Sequence, residues 1–96
     1  MGYQLSQSAE EDIIAILAEG IVRFGSKQAD QYALVIENTL DFLGEHPNAA
    51  RERDEIQPPV RIYPFGSHLV VYTIQSDDTI LVLRIRHCRE DWANED

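Results

Sequence analysis

Apolar residues change their spacing once along this chain, between residues 44 and 60. Before that break they recur every three or four positions, the period of an amphipathic helix. After it they alternate or run together, as strands do. Ala9, Ile13, Ile16, Leu17, Gly20, Ile21 and Phe24 form the first helical stripe. Ser6 or Ser8 can cap its start. Ser8-x-x-Glu11 fits a capping box, and Glu10, Glu11 and Asp12 complement the positive end of the helix dipole. Gly25 is a natural stop, because glycine tolerates the backbone geometry found past a helix end. Ser26 can cap a second helix, whose stripe is Ala29, Tyr32, Ala33, Ile36, Leu40 and Leu43. Gly44 ends it and Pro47 prevents it from resuming. So short a connection predicts an antiparallel helical hairpin.

The remaining segments read as strands. Tyr3-Gln4-Leu5 alternates and suits a strand that joins a sheet made elsewhere. Residues 46–59 are polar and predict a loop, with a helical turn in the Arg51–Glu55 stretch. Val60 to Phe65 is interrupted late by Pro64, which favours an edge or bulged position. Gly66-Ser67 and Asp77-Asp78 are turns on either side of an apolar strand. Consecutive hairpins imply an antiparallel meander. The expected class is α+β, a single domain over residues 1–96. Helices near 7–24 and 27–44 would pack on an antiparallel sheet of residues 2–5, 60–65, 68–75 and 79–87. Leu5, Ile13, Leu17, Ile21, Tyr32, Ile36 and Leu40 are expected to be largely buried.

Strict alternation makes this sheet apolar on both faces. Leu69, Val71 and Thr73 oppose Val70, Tyr72 and Ile74; Leu81, Leu83 and Ile85 oppose Ile80 and Val82. One helical hairpin covers one face. The other would expose about five large apolar side chains, which soluble monomers avoid. A partner, the chain's own loop or tail, or a second copy would cover it. Arg84 and Arg86 are expected on the face that carries Ile80 and Val82.

Composition narrows the function. The 96 residues carry 8 basic and 17 acidic side chains, a net charge of −9, which argues against broad binding to nucleic acid phosphates. The first 45 residues hold eight acids and two bases; residues 46–89 hold six bases and five acids, so a local basic surface is expected there. A lone cysteine makes neither an internal disulfide nor a multi-thiolate metal site. With no charged apolar leader and no apolar run near about 18 residues, a cytoplasmic protein off the membrane is expected. No glycine-rich phosphate loop is present, and no cofactor or metal is expected.

The order of the punctuating residues resembles a known family. Phe24-Gly25-x-x-Gln28-Ala29-x-x-Tyr32, Gly66-x-His68-x-x-x-Tyr72 and His87-x-Arg89-x-Asp91 form a series. It is joined by Leu5-Ser6, Ala9-Glu10, Asp12-Ile13, Leu40, Leu43, Pro47, Arg51, Arg53, Glu55, Arg61, Pro64 and Ile85. Together they resemble the ParE branch of the RelE/ParE toxin superfamily, the toxin halves of bacterial type II toxin–antitoxin modules. Ala50, Cys88 and Glu90 depart from common family residues. The resemblance implies an α-hairpin on an antiparallel sheet, and a hetero-oligomer with a cognate antitoxin whose C-terminal segment wraps the toxin. It also implies inhibition of DNA gyrase. The alternatives are a ribosome-dependent mRNA endonuclease, as in the RelE branch, and a non-toxic interaction module.

Metal-free RNA cleavage needs a base, an acid and cations for the phosphate. His68, His87, Arg61, Arg84 and Arg86 supply those types on paper, but Lys27 is the only lysine and the net charge opposes docking on ribosomal RNA. The expected surface for target or antitoxin is therefore a protein interface: Arg61, Val70, Tyr72, Arg84, Arg86, His87, Arg89 and Trp92. His87 can fix the tail, contact a target or act as acid or base. Trp92 is a lid on the core or an interface anchor. His68 is expected to satisfy turn backbone groups, and Cys88 to be an inert thiol.

Overall fold

The computed structural model describes residues 2–89. Strand β1 (Tyr3–Leu5) leads into helix α1 (Gln7–Phe24), helix α2 (Ser26–Glu45) and a single 3-10 turn (Pro47–Ala49). Strands β2 (Glu52–Arg53), β3 (Val60–Phe65), β4 (His68–Ile74) and β5 (Ile80–His87) follow. The sheet order is β1-β5-β4-β3-β2. The two helices pack as a hairpin against this sheet, as the periodicity predicts.

Ser6 is the cap that forms. Its hydroxyl accepts the Ala9 N–H at 3.0 Å and donates to the Leu83 carbonyl at 2.8 Å. One side chain thus starts α1 and ties it to β5. Gly25 serves both helices at φ 92°, and Ser26 is the first residue of α2 without a capping bond. Gly44 lies against Gly2, where an added Cβ would come within 2.9 Å of the Gly2 backbone. Its role is close approach rather than termination.

Four expectations are corrected. First, β1 pairs parallel with β5, Tyr3 opposite Ile80 and Leu5 opposite Val82. The other pairings are antiparallel. A strand that precedes the hairpin and joins the sheet's far edge reaches it by a crossover, not by a tight turn.

Second, the Arg51–Glu55 stretch is not helical. The helical turn lies earlier, and Glu52–Arg53 adds a short edge strand to β3. The Arg61 guanidinium fixes this loop by donating to the Ala50 carbonyl at 2.6 Å.

Third, Ile21 is 51% exposed. It sits near the hairpin tip, beyond the core cluster of the sheet. Leu5, Ile13, Leu17 and Tyr32 are half-buried and pack against that cluster, while Ile36 and Leu40 are buried in it. A half-buried Ile13 lowers the expected cost of Ile13→Ala to about 1–2 kcal/mol, below the range for a fully buried site. Urea denaturation should show a correspondingly small drop in midpoint.

Fourth, the phase of β5 shifts. Val71 pairs with Arg84 but Tyr72 pairs with Val82, so Leu83 is an extra residue, a β-bulge. Ile80, Val82 and Ile85 therefore all enter the core. Arg84 and Arg86 face the other way, opposite Val71 and Leu69. Directly opposed pairs lie within side-chain contact, so the arginine stems lie against apolar neighbours. Val71 is buried, and Ile62, Leu69, Leu81 and Leu83 are half-buried. The strongly exposed large apolar side chains among the described residues are instead on the helices: Ile14, Ile21, Val22, Phe24, Leu34, Val35 and Phe42.

Candidate functional site

The sequence-derived site residues divide by where the fold puts them. Val70 and Tyr72 are fully buried, which corrects their placement at a binding surface. Both point toward the helices, and the Tyr72 hydroxyl donates to the Pro47 carbonyl at 2.7 Å. Burial pushes that phenol's pKa up, which keeps the proton it donates. Arg61 is committed to the loop after α2. Arg84 is held by Asp12. Its Nε and Nη2 donate to the two carboxylate oxygens at 2.7 and 3.0 Å, a bidentate fork. Asp12 also accepts the Ile85 N–H at 3.0 Å. Where β1 ends, a helix carboxylate takes the place of the next strand partner of β5.

Arg86, His87 and Arg89 remain together at the end of β5. The Arg89 N–H donates to His87 Nδ1 at 3.1 Å, so His87 does fix the start of the tail. Cys88 is exposed, and its N–H donates to the Ser67 carbonyl at 2.9 Å. Trp92 lies outside the described residues.

His68 is not a turn-satisfying residue. It pairs with His87 across the strands, and the two rings meet edge to face with centroids 5.2 Å apart. Its Nδ1 lies 2.6 Å from the Tyr32 hydroxyl. Burial raises the Tyr32 pKa, against the Ser67 backbone that lowers it, so the phenol keeps the proton it can give to His68. Phe65 stacks on both Tyr32 and His68. Gly66, at φ 51°, admits Tyr32 where a Cβ would stand 2.9 Å from its hydroxyl. Gly66→Ala should therefore lower the melting temperature by several degrees through backbone strain and displacement of Tyr32. A thermal melt with unchanged midpoint would contradict the packing.

Tyr32, His68 and His87 line a cleft of about 500 Å³ under the tip of the hairpin, together with Gly20, Phe24 and Gln28. Its walls are mixed: Ile16 and Val35 are apolar, and Arg23 pairs with Glu19 at 3.1 Å. Among the described residues no group of three or more His, Cys, Asp and Glu is placed to hold a metal ion. No helix among them is long and apolar enough to cross a membrane.

Sequence reasoning missed Asp12 and the Tyr32–His68 bond. Asp12 did carry a signal, since it is an acid flanking the inward stripe of Ala9, Ile13 and Ile16. The Tyr32–His68 bond joins residues 36 apart and had no local signal.

A family model described as ParE toxin of type II toxin-antitoxin system, parDE, matches residues 3–92. Toxin ParE1 of Mycobacterium tuberculosis is 34% identical over 89 residues, 93% of this chain and 91% of that protein. Toxin ParE1 of Caulobacter vibrioides is 28% identical over 85 residues, 88% and 86% of the two chains. A solved structure titled "Chromosomal ParDE TA system from P. aeruginosa" shares the fold. Its TM-score is 0.75 at 21% identity, over 91% of this chain and 95% of that one.

Proposed function

The chain belongs to the ParE toxin family of type II toxin–antitoxin systems, and from that premise we propose that it inhibits DNA gyrase in the cytoplasm and is neutralised by a cognate antitoxin. It does so as a binding protein, with no bond made or broken in the target by this chain. The observation that carries the reading is the family match, which spans both the helical hairpin and the end of β5.

The fates of the candidate catalytic groups support the non-enzymatic reading. Arg61 and Arg84 hold the loop after α2 and helix α1. Tyr32 is bonded to His68, and Arg89 N–H to His87. A general base must be able to reach the proton it takes, and here the Nδ1 of each ring is engaged by an internal partner. We propose Arg86, His87, Arg89 and Trp92 as the target contact, cationic and aromatic residues close together in the sequence of an acidic chain. Arginine and tryptophan are the residue types that anchor protein interfaces.

The test is made in cells. Induction of the chain should arrest growth with DNA synthesis stopping while existing mRNA persists, and co-expression of the protein encoded beside it should restore growth. Early cleavage of mRNA would overturn the gyrase reading in favour of the endonuclease. Arg89→Ala, at an exposed position, should weaken growth inhibition about tenfold with an unchanged circular dichroism spectrum.

A further inference from the structure

Phe24 and Val35, 62% and 42% exposed, both line the cleft under the hairpin tip. Ile16 and Leu17 line it too and are half-buried. Large apolar side chains left open to water in a concave site mark a place for an occupant. At about 500 Å³ the cleft lies within the size range of sites that hold small organic groups. Gln28 and Gln31 add amide oxygens to its walls, acceptors that a buried N–H donor needs. The cleft is also poor in acid. Glu19 is the one carboxylate in its lining among the described residues, and Arg23 pairs with it at 3.1 Å.

The chain itself leads to this cleft. β5 ends at His87, a lining residue, and the backbone turns at Cys88 and Arg89. The Cys88 N–H donates to the carbonyl of Ser67, which also lines the cleft, and the Arg89 N–H donates to His87 Nδ1. Burial raises the Tyr32 pKa and Cys88 adds to that rise, so Cys88 stands close to the Tyr32 wall. Residues 90–96 lie outside the described residues. Trp92, the only tryptophan of the sequence, follows Arg89 by three positions, a reach of about 10 Å for extended chain. Its neighbours in sequence include Glu90, Asp91, Glu95 and Asp96, with no basic residue among 90–96.

We propose that the chain from Glu90 onward folds back so that the Trp92 indole docks in this cleft. The indole brings apolar area for Phe24, Ile16 and Val35, and an N–H for a glutamine oxygen. Charge favours the same occupant. Four acids beside the indole suit a cleft lined by Arg23, His68 and His87 better than the rest of the helical hairpin, which carries eight acids and two bases in all. A second copy would bring its own acidic helices with its tail, and like charges at an interface are costly. A tethered side chain also meets its site at an effective concentration on the order of millimolar, so a contact too weak for a free peptide still fills the cleft. The docked tail sheathes a residue proposed above to contact the target. That consequence rests on the gyrase reading: Trp92 must leave the cleft to reach gyrase, so docking lowers the apparent affinity by the fraction held in.

The test uses the full chain, whose single tryptophan reports on its own surroundings. Fluorescence emission and acrylamide quenching are read for the wild type and two variants. One combines Phe24→Ser and Val35→Ser in the cleft; the other is Val22→Ser, an 85% exposed residue of α1 outside it. All three sites are exposed, and circular dichroism checks the fold. The wild type and Val22→Ser should emit to the blue of free tryptophan and resist the quencher several-fold. The double variant should emit as free tryptophan and inhibit gyrase supercoiling at several-fold lower concentration. A solvent-exposed indole in the wild type would overturn the docking, as would a shielded one that the double variant leaves unmoved. Shielding that grows with protein concentration would place Trp92 in the cleft of a second copy and overturn it too. A released tail with unchanged gyrase inhibition would overturn the sheathing step. Absence of gyrase inhibition in every variant, with the wild-type indole shielded, would overturn the gyrase reading and leave the docking in place.

Discussion

Tyr72→Ala should cost about 3–5 kcal/mol, enough to leave the chain largely unfolded at physiological temperature if its stability is typical of a small domain. Among the described residues Tyr72 is the largest fully buried side chain. It faces the helices from the middle of β4, with Val70 and Ile74 on either side of it along the strand and Val82 opposite. Removing the ring opens a cavity that Leu40 and Leu43 of α2 cannot fill without moving the helix. The hydroxyl matters less. Tyr72→Phe keeps the ring and loses one hydrogen bond to Pro47, so about 1–2 kcal/mol is expected, part of it from leaving the Pro47 carbonyl without its donor. Urea unfolding of the two variants separates these terms. Equal losses would mean that the loop after α2, not the packing of the ring, depends on Tyr72.

Asp12→Ala should cost about 2–3 kcal/mol, a lowering of the melting temperature by roughly 10–20 °C for a domain of this size. Three donors lose one carboxylate: Arg84 Nε, Arg84 Nη2 and the Ile85 N–H. The arginine side chain is 43% exposed, so water recovers part of that loss, whereas the carboxylate is only 17% exposed. The backbone N–H is the larger penalty, because a buried donor without an acceptor keeps its full desolvation cost. Arg84→Ala should accordingly cost less than Asp12→Ala, since Asp12 would still accept from Ile85. The reverse order in thermal melts would show that the ion pair, and not the backbone bond, fastens α1 to β5. The same comparison protects functional assays, because a loss of toxicity in an Arg84 variant reports on the fold as well as on the target.

The helices were legible because their signals are local: a stripe of period 3.6, Ser6, Gly25 and Pro47 suffice. The β3–β4 and β4–β5 turns were equally clear from Gly66 and Asp77-Asp78. The direction of β1 was not, since nothing in Tyr3-Gln4-Leu5 says which edge it joins or which way it runs. The bulge at Leu83 was half visible. Ile80 and Val82 are two apart, but the next apolar residue framed by charges is Ile85, one step out of phase between Arg84 and Arg86. Reading strict alternation through that point placed the arginines on the wrong face. It also suggested an exposed apolar sheet face, when the exposed apolar surface is on the hairpin. That surface was hidden for a related reason. Ile14, Val22, Leu34 and Val35 lie outside the inward stripes, and a pattern search that seeks the core discards the residues that do not fit it. Of the candidate site, Arg61 and Arg84 were singled out as cations, but their partners Ala50 and Asp12 lie 11 and 72 residues away.

The central claim is that this member of the ParE toxin family acts on gyrase by binding and not on RNA by cleavage. The most direct measurement adds the purified chain to gyrase-catalysed supercoiling of relaxed plasmid and, in parallel, to translating ribosomes carrying a defined mRNA. The account predicts dose-dependent loss of supercoiled product, intact mRNA, and restored supercoiling when the antitoxin is added. Normal supercoiling with mRNA cut on the ribosome would contradict it.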